Sequence, residues 1–178
     1  MAAVPPAPKL PADAYFLMDA ATGQVLVDYQ GDLSLPPASL TKIMTSYVLA
    51  EEVDSARVSL DDIITVSRNA WSQNPTFQGS SLMWIEPRKP VSLADLERGV
   101  VISSGNDASV AVAEHLAGTE SSFVDVMNQI AADLGLDKTT YRNPHGLPHP
   151  EHRTTARDLA KLSVALINNH PDHYKIYK

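Results

Sequence analysis

The sequence contains no cysteine, which excludes a disulfide framework, a cysteine nucleophile and a thiolate metal site. No uninterrupted apolar run approaches the ~18 residues that a membrane-spanning helix needs. No glycine-rich loop of the phosphate-cradling kinds is present. Basic residues are outnumbered: 14 Lys+Arg against 21 Asp+Glu give a net charge of −7, which argues against a broad nucleic-acid footprint. The lack of cysteine does not speak against export, because 178 residues can bury a core without covalent staples. With 44% hydrophobic and 20% charged residues the chain is an ordinary globular mixture, so disorder along its whole length is excluded.

The first residues, MAAVPPAPKLP, hold four prolines and favour an extended lead-in over 1–12. They lack the apolar centre of a signal peptide. Structure is expected from about residue 13. Ala14–Met18 and Gln24–Tyr29 suit two strands of a hairpin, with Ala21-Thr22-Gly23 as the turn. After Pro36 and Pro37, the residues Leu40, Ile43, Met44, Tyr47 and Val48 recur at helical spacing, which predicts a largely apolar, central helix opening at Ser39. Ile63–Val66 and Ser81–Ile85 read as short strands. Ser92-Leu93-Ala94-Asp95 is a capping box and opens a helix to about Ile102. Further helices are expected over Asp107–Ala117 and Ser122–Leu134, each followed by a glycine, and from Thr155 to about Ile167. A hairpin is too little sheet for this many helices. The expectation is therefore an incomplete α+β domain, its remaining strands lying beyond Lys178 or supplied by a second polypeptide.

Ser39 and Lys42 are three residues apart and share a helix face. A serine hydroxyl is a weak nucleophile until a base takes its proton, and a lysine is a base only when neutral. At pH 7 that costs roughly 4–5 kcal/mol for a lysine of pKa ~10.4. Burial among Leu40, Ile43 and Met44 would lower this cost. The same spacing also describes a serine N-cap beside a lysine that reaches solvent. Ser104-Gly105-Asn106 breaks two helices, so a hydroxyl and an amide project from a short loop where they could relay a proton and hold a substrate amide. A polar helix break is the plainer alternative, and Ser67-Arg68-Asn69 and Ser72-Gln73-Asn74 match the same pattern. Asp107 reads as a cap of the following helix. His145, His149 and His152 fall in a proline-rich loop with no zinc-ligand spacing, and are expected to be mostly exposed rather than metal-binding. His115 reads as an ordinary helix residue. For Trp71 and Trp84, core packing is the stronger expectation.

Taken in order, these segments resemble the penicillin-recognising serine enzymes, and more narrowly the low-molecular-mass D-alanyl-D-alanine carboxypeptidases. The resemblance covers roughly residues 13–178. It is carried by Pro37-Ala38-Ser39-Leu40-Thr41-Lys42-Ile43-Met44-Thr45 and Ser103-Ser104-Gly105-Asn106-Asp107-Ala108. The hairpin wording Met18–Leu26, the stretch Gly79–Met83 and His145-Gly146-Leu147 support it. It implies a penicillin-binding-protein/β-lactamase-like transpeptidase fold and a serine hydrolase needing no cofactor and no metal. In that reading Ser39 attacks the penultimate D-Ala carbonyl of a peptidoglycan stem peptide ending in D-Ala-D-Ala, with Lys42 as general base. Ser104 passes the proton to the departing D-alanine and Asn106 holds the peptide. His145 and Leu147 lie beside the site. β-Lactams would acylate Ser39 as inhibitors, and the location would be the periplasm or the extracytoplasmic face of the inner membrane.

One departure is large. The family's third motif, Lys-Thr-Gly or Lys-Ser-Gly on a later strand, is absent; Lys138-Thr139-Thr140 lacks the glycine and comes too early. That strand supplies an oxyanion donor, and losing one such donor costs about 3–4 kcal/mol in the transition state. The chain alone is thus expected to be weakly active or inactive. A β-lactamase and a catalytically silent cell-wall-binding fragment are the rival readings. The first needs a deacylating carboxylate, and only Glu151 lies near the right region.

Overall fold

The computed structural model describes residues 6–178. Part of the expected lead-in, residues 1–5, lies outside the described residues; 6–14 carry no helix or strand. The elements are β1 (Tyr15–Met18), β2 (Val25–Tyr29), α1 (Lys42–Asp54), β3 (Ile63–Ile64), β4 (Val91–Ser92), α2 (Leu93–Val101), α3 (Asn106–Ala117), α4 (Glu120–Asp133), α5 (Ala156–Asn169) and α6 (Pro171–Tyr174). This is an α+β arrangement with two separate two-stranded antiparallel sheets, β1–β2 and β3–β4.

Local chemistry explains the first hairpin. Asp19 Oδ1 accepts from the Ala21 and Thr22 N–H groups and the Thr22 hydroxyl, closing the turn. Tyr15 pairs with Tyr29 and their rings stack at 5.0 Å. The hairpin docks on α5 through the Arg157 guanidinium, which lies 4.6 Å over the Phe16 ring and pairs with Asp28 and Asp32. Leu17, Val25, Leu26 and Tyr29 stay exposed. Helix starts follow the expected side-chain caps: Ser92 accepts from Asp95 N–H, and Thr155 from Asp158 N–H.

Helix α1 is buried on nearly all faces from Met44 to Ala50, as an apolar, central helix must be. It separates two cores. Leu49 joins Ile64, Val66, Phe77, Leu93, Leu96 and the α3 residues Val110 and Val112 on one side. Met44, Tyr47 and Val48 join Phe123, Met127, Tyr141, Leu162 and Leu166 on the other. Helix α1 is therefore packed on both sides along its middle.

Three expectations are corrected here. Residues 81–85 form no strand, because their N–H groups go to a side chain rather than to a neighbouring strand. Met83 N–H donates to Asp107 Oδ1, and Trp84 and Ile85 N–H to Asp107 Oδ2. The partner of Ile63–Ile64 is Val91–Ser92, and the strand stops at Ile64 instead of Val66. Trp84 is not core: it is 74% exposed at φ 68, while Trp71 is half-buried.

Candidate active site

Ser39 lies exposed in a 3-10 turn, Ala38–Thr41, that runs directly into α1. No side chain caps the turn or the helix, so Ser39 is not an N-cap. Ala38, just before it, takes a left-handed φ of 48°. The chain approaches closely here: Gly146, at φ 93°, packs on the Ala38 carbonyl so tightly that a Cβ there would overlap the oxygen. Only glycine meets both demands at 146.

Lys42 is 4% exposed and its Nζ has three partners: Ser39 Oγ at 3.3 Å, Asn106 Oδ1 at 2.7 Å and the His145 carbonyl at 2.9 Å. Two of these are oxygens that only accept. When the amine is neutral it keeps two N–H donors and one lone pair. Asn106 and His145 take the two donors, which leaves the lone pair facing the Ser39 hydroxyl. Burial pushes the Lys42 pKa down to about 8, against the opposing pull of the Asp107 charge. About one amine in ten is then neutral at pH 7, against about one in 3,000 at the ordinary 10.5. Because the folded chain holds fewer protons here than the unfolded one, this group's contribution to stability rises with pH between about 8 and 10.5 and is flat below. The Lys42 Cε and Nζ resonances are expected to titrate with a midpoint near pH 8; a midpoint above 10 would show an exposed lysine.

Ser104-Gly105-Asn106 joins α2 to α3. Ser104 is partly exposed and held at φ 51°, a strained value for a side chain that is not glycine. It is not one of the three Lys42 partners, whereas Asn106, 4% exposed, is. Asp107 does more than the cap expected of it. Fully buried, its carboxylate accepts from Met83, Trp84, Ile85 and Ala108 N–H and ties the 83–85 segment to the start of α3. Asn106 N–H adds a bond to the Ser81 carbonyl.

The loop between α4 and α5 closes the other side. Asn143 Oδ1 accepts from His145 and Gly146 N–H while its amide donates to the Leu147 carbonyl, which fixes the turn that presents the His145 carbonyl. Thr45 donates to the Pro144 carbonyl at 2.6 Å. The expectation of mostly exposed histidines is overturned: His145 and His152 are buried and only His149 is exposed. Each buried ring accepts a local backbone N–H at Nδ1, from Leu147 and Arg142 respectively, which leaves Nε2 as the atom that carries a proton. His145 Nε2 faces Glu120 at 3.6 Å, and this contact first of all holds the Glu120 carboxyl below its ordinary range. His152 Nε2 lies 2.8 Å from Thr41 Oγ1, inside the Ser39–Lys42 turn. Burial, then the charges of His145, His149 and Arg142, push the His152 pKa down to about 4. His152, Thr41, Thr45, Asn143 and Gly146 escaped sequence reasoning as parts of the site. The glycine after His145 was the one available signal. Leu147 packs its side chain against the core around α2 and α3.

Ser39, Asn106 and the His145 backbone thus converge on the Lys42 amine, while Ser104, two residues before Asn106, makes none of these contacts. Such a site offers an exposed hydroxyl, a buried amine that can take its proton, and an amide that orients the amine. Among the described residues no group of three or more His, Cys, Asp or Glu side chains is arranged to hold a metal ion.

Comparison with known proteins shows the family. The family model described as Peptidase S11, D-alanyl-D-alanine carboxypeptidase, matches residues 1–178. D-alanyl-D-alanine carboxypeptidase DacC of Escherichia coli is 47% identical over 173 residues, 97% of this chain and 43% of the relative. DacA of Haemophilus influenzae is 41% identical over 170 residues, 96% of this chain and 43% of the relative. Penicillin-binding protein 5 of Haemophilus influenzae superposes with a TM-score of 0.94 at 40% identity, over 98% of this chain and 50% of that one. Penicillin-binding protein 6B of Escherichia coli gives 0.93 at 45% identity, over 97% and 55%. The chain spans less than half the length of these curated relatives. It belongs to the S11 family of D-alanyl-D-alanine carboxypeptidases.

Proposed function

We propose that residues 13–178 form the N-terminal part of a serine-type D-Ala-D-Ala carboxypeptidase domain. The domain would act on peptidoglycan stem peptides in the periplasm or at the extracytoplasmic face of the inner membrane. The observation that carries this reading is the buried Lys42 amine, held by two acceptors with its third position on the Ser39 hydroxyl. Ser39 Oγ attacks the penultimate D-Ala carbonyl as its proton passes to Lys42 Nζ. The Ser39 N–H, in the turn that opens α1, is one donor to the resulting oxyanion. The C–N bond then breaks, and a proton returns through Ser104 to the departing D-alanine amine. Water hydrolyses the acyl-enzyme and regenerates the serine. A β-lactam opens on Ser39 by the same first step. Asn106 both aligns Lys42 and faces the bound peptide.

Glu151 argues for this reading over a β-lactamase. It is exposed and paired with Arg142 at 3.1 Å, and it is not among the groups that touch Ser39 or Lys42. The second oxyanion donor, the cation for the substrate carboxylate and the strands that cover the exposed hairpin residues Leu17, Val25 and Leu26 would come from sequence outside these residues or from a second polypeptide. A chromogenic cephalosporin tests this on the 178-residue chain. Acylation of Ser39, followed by intact mass, is expected over hours and to accelerate on adding the C-terminal half of a relative. Stoichiometric acylation within seconds by the chain alone would contradict the division of labour, and no acylation under either condition would contradict the assignment of Ser39.

A further inference from the structure

Leu40 and Thr41 separate Ser39 from Lys42, and their anchorage differs. Leu40 is 52% exposed, whereas Thr41 is fully buried. No side chain caps the 3-10 turn or α1, so the turn is not fixed from its own end. It is held instead by the chain that runs between α4 and α5. Leu35 and Thr154 exchange backbone hydrogen bonds at 2.9 Å just ahead of the turn, and Thr45 donates to the Pro144 carbonyl behind it. Between these ties, Thr41 Oγ1 meets His152 Nε2 at 2.8 Å. Among the described residues this is the one side-chain hydrogen bond made between the nucleophile and the base along the chain.

His152 is itself firmly held. It is buried, its ring stands edge-on to Tyr141 at 5.7 Å, and its Nδ1 accepts from Arg142 N–H. Nε2 therefore carries the proton, so the ring donates and Thr41 Oγ1 accepts. Burial above all holds the His152 pKa down at about 4, so the neutral ring stays the same donor over the range in which Lys42 titrates.

We propose that His152 is a positioning residue for acyl transfer: acting through Thr41, it fixes the turn that sets Ser39 Oγ against Lys42 Nζ. The role rests on Ser39 and Lys42 being nucleophile and base, as proposed above. Of the three contacts of Lys42 Nζ, the one to Ser39 is the longest at 3.3 Å, so a shift of the turn breaks it first. Lys42 would then stay buried on Asn106 and the His145 carbonyl, with the hydroxyl no longer facing its lone pair. A misplacement of about 1 Å between reacting groups costs about 10²-fold in rate.

Three variants test this. Thr41→Val removes the acceptor and keeps the shape at 41, His152→Leu removes the donor, and His152→Gln restores a donor together with an acceptor for Arg142 N–H. Acylation by the cephalosporin, followed by intact mass over a range of concentrations, separates noncovalent binding from the acylation rate constant. Thr41→Val and His152→Leu should each lower the rate constant roughly 10–100-fold and leave noncovalent binding within about twofold. The double variant should be no slower than the slower single one, because the same bond is lost once. His152→Gln should recover most of the rate. A second readout needs no acylation. The Ser39 Cβ resonance should follow the Lys42 midpoint near pH 8 in the unaltered chain. In Thr41→Val that response should vanish while Lys42 Nζ still titrates near 8. Unchanged rate constants, additive losses in the double variant, or a Ser39 resonance that still follows Lys42 in Thr41→Val would overturn the proposal. So would a lysine midpoint driven back toward 10.5, which would show that the bond only keeps the amine buried. If the unaltered chain is never acylated, the carboxypeptidase reading falls, and the Ser39 resonance alone decides whether His152 sets the pair.

Discussion

Lys42→Met is expected to slow acylation of Ser39 by a further 10²–10⁴-fold, on the order of what a positioned general base contributes. The comparison is with the slow rate of the unaltered chain, read by intact mass with the same cephalosporin. Methionine fills the same buried space without a charge or a lone pair that accepts the Ser39 proton. The fold is expected to survive. The substitution leaves Asn106 Oδ1 and the His145 carbonyl without their donor, a cost of about 1–3 kcal/mol each. It also removes the burial of an amine that is mostly charged at pH 7, which offsets part of that cost. The pH profile separates this reading from a general loss of packing. In the unaltered chain, acylation should rise about tenfold per pH unit up to pH 7 and level off above about 8, following the neutral amine. In Lys42→Met that rise should vanish. A variant that keeps the same profile at a lower rate would place the base elsewhere.

The helices were legible because their signals are local. Ser92 with Asp95 and Thr155 with Asp158 are caps three residues apart, and the structure uses each as the sequence implies. The 81–85 segment was misread because what shapes it is remote: the acceptor for its N–H groups is a carboxylate 22 to 24 residues further on. The histidines failed for the same reason. A proline-rich polar loop looks like surface, yet His152 is buried by a hydrogen bond to Thr41 across 111 residues. Lys42 is an intermediate case. Its burial was anticipated from Leu40, Ile43 and Met44, but Leu40 is 52% exposed. The enclosure comes instead from Asn106 and the 143–146 loop, contacts that no spacing within the helix encodes. The pairing of Ser39 with Lys42 was readable; what buries that lysine and lowers its pKa was not.

Asp107→Asn should therefore move stability and lysine chemistry in opposite directions. The carboxylate accepts two N–H groups at each oxygen: Met83 and Ala108 at Oδ1, Trp84 and Ile85 at Oδ2. An amide offers one acceptor oxygen and turns N–H donors toward the other pair. Breaking a fully buried, charge-assisted set of this kind costs about 3–5 kcal/mol, which is a large share of a domain's stability. Urea unfolding should show that loss directly. The same carboxylate also holds the Lys42 pKa up, so its removal should bring the lysine midpoint below 8 and raise the neutral fraction at pH 7 in whatever remains folded. Lysine NMR at low temperature, where the variant stays folded, reads this second effect. A midpoint that rises instead would mean that Asp107 acts on Lys42 through the position of Asn106 and the 83–85 segment rather than through its charge.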